Sequence, residues 1–323
     1  MNKIFSMHDK VSFNETALEI FHHQYQNNFE YNRFCNFLDK HPENVSDIDS
    51  IPFLPVNFFK TLKIVCGNNK IGTVFKSSAT TGHIQSSHHV IDLAFYEKSY
   101  NKCFEMFYGD PSEYCILALL PSYLERKGSS LIYMVEDLIK RSKHAHSGFY
   151  LYDTAELIEK LKIQEANNQK TLLIGVTFAL IDLAEIVKLD LRHTIIMETG
   201  GMKGRKKEII REEVHSVLSN AFNVSTTHSE YGMTELLSQA YSYGNGVFNC
   251  PPWMKIIIRD AQDPFAFLGH NTTGGINVID FANINSCSFL STQDLGKTYA
   301  DGSFEVLGRF DNSDIRGCNL LVQ

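Results

Sequence analysis

Residues 76–89 read KSSATTGHIQSSHH. Hydroxyls and unencumbered backbone N–H groups are what phosphate oxygens need, and Ser, Thr and Gly supply both at little steric cost. The pattern GxxxxGK[ST] is absent, so this is no Walker loop, and a surface turn uses the same letters. Three later stretches carry further reactive groups: HSEYGMTE (228–235), STQDLG (291–296) and GRFDNSDIRG (308–317). Just beyond the last lies Cys318, with Arg309 and Arg316 nearby. Adjacent guanidinium groups lower a thiol's pKa, and the thiolate is the form that attacks an activated acyl group. The same cysteine also suits a small apolar residue packing CNLLV onto a core.

The elements that must position these groups follow from periodicity. Ser12 and Glu15 have capping-box spacing, and Leu18, Phe21 and Tyr25 recur at helical intervals. Asn27-Asn28 interrupts, and a second helix continues through Phe34, Phe37 and Leu38. IPFLPVNFF is apolar but pinned by Pro52 and Pro55, and reads as an irregular segment on a core. TLKIVCG and IGTVFKSS, joined across Asn68-Asn69, suggest a β-hairpin whose second strand feeds the hydroxyl loop. Strands and helices then alternate: EYCILALL, SSLIYMVEDLIKRS, GFYLYD, TAELIEKLKIQEAN, KTLLIGV, FALIDLAEIVK, HTIIME and KKEIIREEVHSVLSNAF. That rhythm predicts an α/β layer with a largely parallel sheet. After Val224 come strands separated by Gly, Asn and Asp turns, including Asp301-Gly302, which predicts a β-rich subdomain.

Composition narrows the function classes. The chain has 323 residues and a formal net charge of -7, which argues against nucleic acid as a main partner. No long uncharged apolar run indicates a membrane span, and the N-terminus lacks the apolar stretch of a secretory signal. Seven cysteines form no CxxC pair, which fits reduced thiols in a cytoplasm. No GxSxG elbow follows a strand, so a Ser-His-Asp hydrolase is excluded.

In their order, the hydroxyl loop and its three companions resemble the signature set of the adenylate-forming superfamily. This includes acyl-CoA synthetases, peptide-synthetase adenylation domains and luciferases. There the loop reads SSGTTG, followed by YGxTE, TGD and GRxxDxI. Further stretches are similar to the LuxE-type acyl-protein synthetases: IPFLPVNFFKT, LLPSYLERKGSSLIYMV, GGINVIDFANINSCSFLSTQDLG and GRFDNSDIRGCNLL. The resemblance implies an α/β fold, the large N-terminal domain of the adenylate-forming enzymes, with layered parallel and mixed sheets. It would span 1–308, with a helical part over 1–60. Residues 309–323 would be a hinge-motif remnant and tail, with the family's small C-terminal domain and its lysine absent.

The implied chemistry is attack of a carboxylate, such as a fatty acid, on the α-phosphorus of ATP, expelling pyrophosphate with Mg2+ present. The acyl group then passes to a thiol and on to a reductase, transferase or carrier protein. By this likeness Ser77, Ser78, Thr80, Thr81 and Gly82 wrap the β- and γ-phosphates. Gly200 and Gly201 line the adenine pocket, and Tyr231 lies against the base. Gly232 permits close backbone approach, Thr234 donates to the α-phosphate and Glu235 holds Mg2+. Asp294 accepts from both ribose hydroxyls, Arg309 reaches the ribose or phosphates, and His228 sits between acyl pocket and α-phosphate. Cys318 is the acylated thiol. The chain departs from the pattern at Ala79, where the family usually has Gly, and in lacking a lysine soon after the loop. His83, His88 or His89 would supply positive charge there, or serve as ordinary surface or core histidines. Two other functions fit the same residues. One is an acyl-CoA or carrier-protein ligase of the phenylacetate-CoA ligase type. The other is a degenerate nucleotide-binding subunit that docks on a partner.

Overall fold

Buried apolar runs without polar alternation dictate the centre of the molecule. The computed structural model describes residues 4–6, 10–78, 84–121, 128–200 and 210–310. Every residue of β4 (Cys115–Leu119) and β6 (Thr171–Val176) is buried, as expected of parallel strands covered on both faces. They run parallel to each other, to β5 (Gly148–Phe149) and to β7 (Thr194–Thr199), which in turn runs parallel to β8 (His228–Tyr231). Helices α4 (Ser130–Ser142), α5 (Thr154–Ala166), α6 (Thr177–Ile186) and α7 (Arg211–Phe222) connect them. The α/β rhythm read from the sequence is therefore met.

From β8 onward the direction alternates. β9 (Ala240–Ser242), β10 (Val247–Asn249), β11 (Met254–Arg259), β12 (Gly274–Asp280), β13 (Phe289–Thr298) and β14 (Phe304–Arg309) pair antiparallel. They continue the same sheet, in the order β11-β12-β13-β14-β10-β9-β8-β7-β6-β4-β5. The β-rich part expected after Val224 is thus present, as the antiparallel half of one sheet among the described residues. Asp301-Gly302 makes the expected tight turn, with Gly302 at φ +90° and Tyr299 N–H donating to Ser303 O at 2.8 Å.

Two local readings change. Helix α1 (Lys10–Asn27) starts before Ser12, so Ser12 lies within it and does not cap it. Asn28 instead caps α2 (Phe29–Phe37), its side chain accepting from Tyr31 N–H at 3.1 Å. The hairpin also differs. β2 (Thr73–Lys76) pairs antiparallel with β3 (Ser87–Val90), and TLKIVCG is no strand. The hydroxyl loop therefore connects two paired strands. Helix α3 (Leu93–Tyr108) had no counterpart in the sequence reading. Its signals are present: Asp92 accepts from Phe95 N–H at 3.3 Å, and Gly109 ends it at φ +85°.

The N-terminal segment packs on the antiparallel half. β1 (Leu54–Pro55) runs parallel to β13, and a 3-10 helix, Val56–Lys60, follows it. The six described cysteines are free thiols. Among the described residues no helix is long and apolar enough to cross a membrane.

Candidate active site

The parallel strands β7 and β8 end side by side, followed by Gly200 and Gly232, and the strand direction reverses at the next strand, antiparallel β9. Gly200 adopts φ +67°, and its carbonyl accepts from Thr177 Oγ1 at 2.8 Å. A Cβ on Gly232 would lie 2.5 Å from Glu230 Oε1, so the chain there tolerates no side chain without displacing a buried carboxylate.

The YGMTE motif begins at the end of β8. Tyr231 is 8% exposed, its ring edge-on to Phe248 (6.0 Å) and Phe304 (5.6 Å). Its hydroxyl donates to Asp294 Oδ2 at 2.9 Å. Tyr231 therefore offers a hydroxyl to Asp294, whereas the expectation was of an open ring face. Asp294 lies inside β13, opposite Arg309 of β14. Arg309 Nε approaches Asp294 Oδ1 at 3.3 Å, with the Arg309 side chain 73% exposed. Burial pushes the Asp294 carboxyl above its ordinary range, and Arg309 and the Tyr231 hydroxyl partly offset this.

The rest of the motif is held by buried groups. His88 Nδ1–H donates to Thr234 O at 2.8 Å, and Asn283 Nδ2 donates to Glu235 O at 2.8 Å. Asp280 Oδ2 accepts from the N–H groups of Leu237 (2.8 Å) and Ser238 (3.0 Å). Its Oδ1 accepts from Ser238 Oγ at 2.6 Å. This clamp was invisible in the sequence reading. A weak signal existed in IDFAN, an Asp at the end of an apolar strand. His88 is fully buried with its pKa lowered to about 4 by that burial, so it is a neutral core histidine and supplies no charge to phosphate.

Glu235 is 8% exposed and accepts a hydrogen bond from the Ser86 side chain. Burial raises its carboxyl above the usual range, opposed by Ser86 and by the charges of Arg309 and Lys60. Ser86 is paired with Ser77: Ser77 N–H donates to Ser86 O at 3.1 Å, and Ser86 N–H to Ser77 Oγ at 2.9 Å. The base of the hydroxyl loop thus reaches Glu235 through one residue. Ser78 is exposed beyond it. Four stretches far apart in sequence take part in two sets of contacts, Ser77–Ser86–Glu235 and Tyr231–Asp294–Arg309, with the charge of Arg309 acting on both carboxylates.

His228 starts β8 and takes a different neighbourhood. Its Nδ1 lies 3.2 Å from Tyr108 Oη, its ring 5.6 Å from that of Tyr243, and burial lowers its pKa to about 4. Thr80, Thr81, Gly82, His83, Gly201 and Cys318 lie outside the described residues, as does the basic run from Lys203 to Lys207.

Comparison with known proteins bears on this arrangement. Residues 5–93 match the family model described as acyl-protein synthetase, LuxE. Over 67 residues the chain is 36% identical to a long-chain-fatty-acid–luciferin-component ligase of Photorhabdus luminescens, covering 20% of this chain and 57% of that protein. The fold matches 2-hydroxyisobutyryl-CoA ligase in complex with 2-HIB-AMP and CoA, with TM-score 0.71 and 13% identity over 96% of this chain and 71% of that one. It also matches ATP-bound MatB from Rhodopseudomonas palustris, with TM-score 0.55 and 17% identity over 75% of this chain and 49% of that one. The chain is LuxE-like in its first part and has the adenylate-forming fold over most of its described length.

Proposed function

We propose that this site binds ATP and activates a carboxylic acid as its acyl-adenylate, then passes the acyl group to a thiol with release of AMP. The observation that supports the reading is that the motif 231–235 takes part in two sets of contacts, Ser77–Ser86–Glu235 and Tyr231–Asp294–Arg309. In this reading they supply phosphate donors, a cation ligand, a diol acceptor and a guanidinium. In the reaction a carboxylate oxygen bonds to the α-phosphorus while the bond to the β-phosphate oxygen breaks, and pyrophosphate leaves. Negative charge meets negative charge, so rate comes from positioning and preorganised donors.

Asp294, half neutralised by Arg309, accepts the ribose hydroxyls. Thr234 and the hydroxyls of Ser77 and Ser78 donate to phosphate oxygens. Gly200 lines the adenine pocket, and the backbone at Gly232 approaches the nucleotide closely. Among the described residues no group of three or more His, Cys, Asp or Glu could hold a metal. A lone buried carboxylate, Glu235, fits Mg2+ held mainly by phosphate and water oxygens. Bound there, Mg2+ neutralises charge on the phosphates.

A fatty acid is the favoured substrate, supported by the LuxE likeness of residues 5–93. Cys318 is the proposed acceptor, from which a reductase, transferase or carrier protein takes the acyl group. A second reading places coenzyme A or a carrier thiol as acceptor, and the fold shared with a CoA ligase favours it. The test is pyrophosphate exchange into ATP with a panel of fatty, hydroxy and aromatic acids. Exchange that depends on the acid supports activation. ATP binding with no exchange from any acid leaves a nucleotide-binding subunit in its place.

A further inference from the structure

We propose that Lys60 is a phosphate-binding residue of this site, its ammonium delivered by the 3-10 helix Val56–Lys60 to the polyphosphate of the nucleotide held near Glu235. The inference rests on the ATP-binding reading above and adds a residue outside all four motifs.

Charge sets the need. The site presents two buried carboxylates, Glu235 and Asp294, to a polyanionic ligand. Cations nearby are mostly committed. Arg259 Nη1 donates to Ile276 O (2.8 Å) and Asn277 Oδ1 (2.9 Å), and its Nη2 donates to Thr292 O (2.6 Å). Arg211 donates to Glu198 Oε1 at 3.2 Å and Val306 O at 2.9 Å. Lys63 bears on His89, which alternates with His88 along β3. Lys60 and Arg309 are the cations whose charge acts on Glu235. Arg309 already pairs with Asp294. Among the described residues, Lys60 has no carboxylate partner within ion-pair distance.

Geometry supplies the delivery. Leu54 and Pro55 pair with Leu290 and Ser291 of β13, just ahead of Asp294. The helix that follows buries Phe59, whose ring lies edge-on to His88 at 5.3 Å, and His88 in turn holds Thr234 O. Downstream, Ser286 Oγ donates to Ile64 O at 3.0 Å and Cys66 N–H donates to Asn285 O at 2.9 Å. Both ends of the segment are therefore fixed to the elements that carry Asp294 and brace Glu235. Lys60, the last helical residue, stays exposed beside the buried Phe59. A pinned backbone carrying an exposed ammonium whose charge reaches Glu235 suits a ligand whose charge is concentrated in its phosphates.

The test measures binding of ATP with Mg2+, and of adenosine, to the full chain and to Lys60→Ala, Lys60→Arg and Glu235→Gln by calorimetry over a salt series. The expected result is ATP affinity about tenfold weaker in Lys60→Ala, on the scale of a lost charge-assisted hydrogen bond. Its salt dependence should be shallower, its adenosine affinity unchanged, and Lys60→Arg should restore most of the loss. Equal ATP affinity in the unmutated chain and Lys60→Ala overturns the role of Lys60 while the nucleotide reading stands. Parallel loss of ATP and adenosine affinity also overturns it, since that marks a structural effect. If the unmutated chain binds neither ligand, the nucleotide reading itself fails and takes this inference with it.

Discussion

The Tyr231 hydroxyl reaches Asp294 at 2.9 Å although β8 and β13 stand four places apart in the sheet order. Neighbouring strands are about 4.8 Å apart, so only a strongly curled sheet brings the two together. Tyr231→Phe removes the donor and leaves a buried carboxylate less satisfied. A hydrogen bond to a charged group is worth roughly 1.5–3 kcal/mol. The KM for ATP in pyrophosphate exchange should therefore rise about tenfold, while the KM for the acid changes little. Unchanged KM values would remove Asp294 from nucleotide binding.

Glu235→Gln separates function from stability. Exchange should fall by about 10²–10³, the scale of one preorganised electrostatic group. Stability should move the other way. The folded-state pKa of Glu235 is raised above 4.5 by burial. The contribution of its protonated form is full below that value and is lost as pH rises through the folded pKa. At pH 7 the ionised group strains the fold and Gln does not. The thermal midpoint of the variant should exceed that of the parent at pH 7 and match it near pH 4. A lower midpoint at pH 7 would contradict the assignment.

His88 and His228 make stability pH-dependent in the opposite sense. Both pKa values are lowered from 6.5 to about 4 by burial. The unfolded chain therefore binds more protons between these values. The stabilising contribution is present above pH 6.5 and is lost as pH falls through about 4. His88→Phe should flatten this dependence, and leaving Thr234 O without its donor should cost about 1–3 kcal/mol. Urea titrations at pH 7 and pH 5 measure both effects.

Cys318→Ser should abolish hydroxylamine-sensitive acyl labelling from ATP and a fatty acid while ATP still binds. Persistent labelling of that variant would move the acceptor to another cysteine of the chain.

The local reading succeeded wherever short-range physics dominates. Apolar runs such as KTLLIGV and HTIIME became the buried parallel strands β6 and β7. It failed where partners come from far away. β2 contains nothing that specifies β3 over TLKIVCG as its partner, because pairing is decided by contacts beyond either strand. The antiparallel strands carry no mark showing that they extend the parallel sheet. Helix α3 has no clear apolar periodicity although Asp92 and Gly109 bracket it, because its buried face mixes Tyr, Ser and Asn with apolar residues.

The amino-acid sequence by itself determined the chemical groups on offer: hydroxyls in one loop, carboxylates at Glu235 and Asp294, a guanidinium at Arg309. It also determined the alternation of strand and helix, because both arise from residue type and spacing along the chain. Only the tertiary structure decided that Ser77 and Ser86 reach Glu235, that Tyr231 serves Asp294, and that Asp280 and His88 clamp the motif between them. Those outcomes depend on sheet curvature and on contacts between residues remote in sequence. Such contacts exist only once the chain has closed on itself, so no local pattern encodes them.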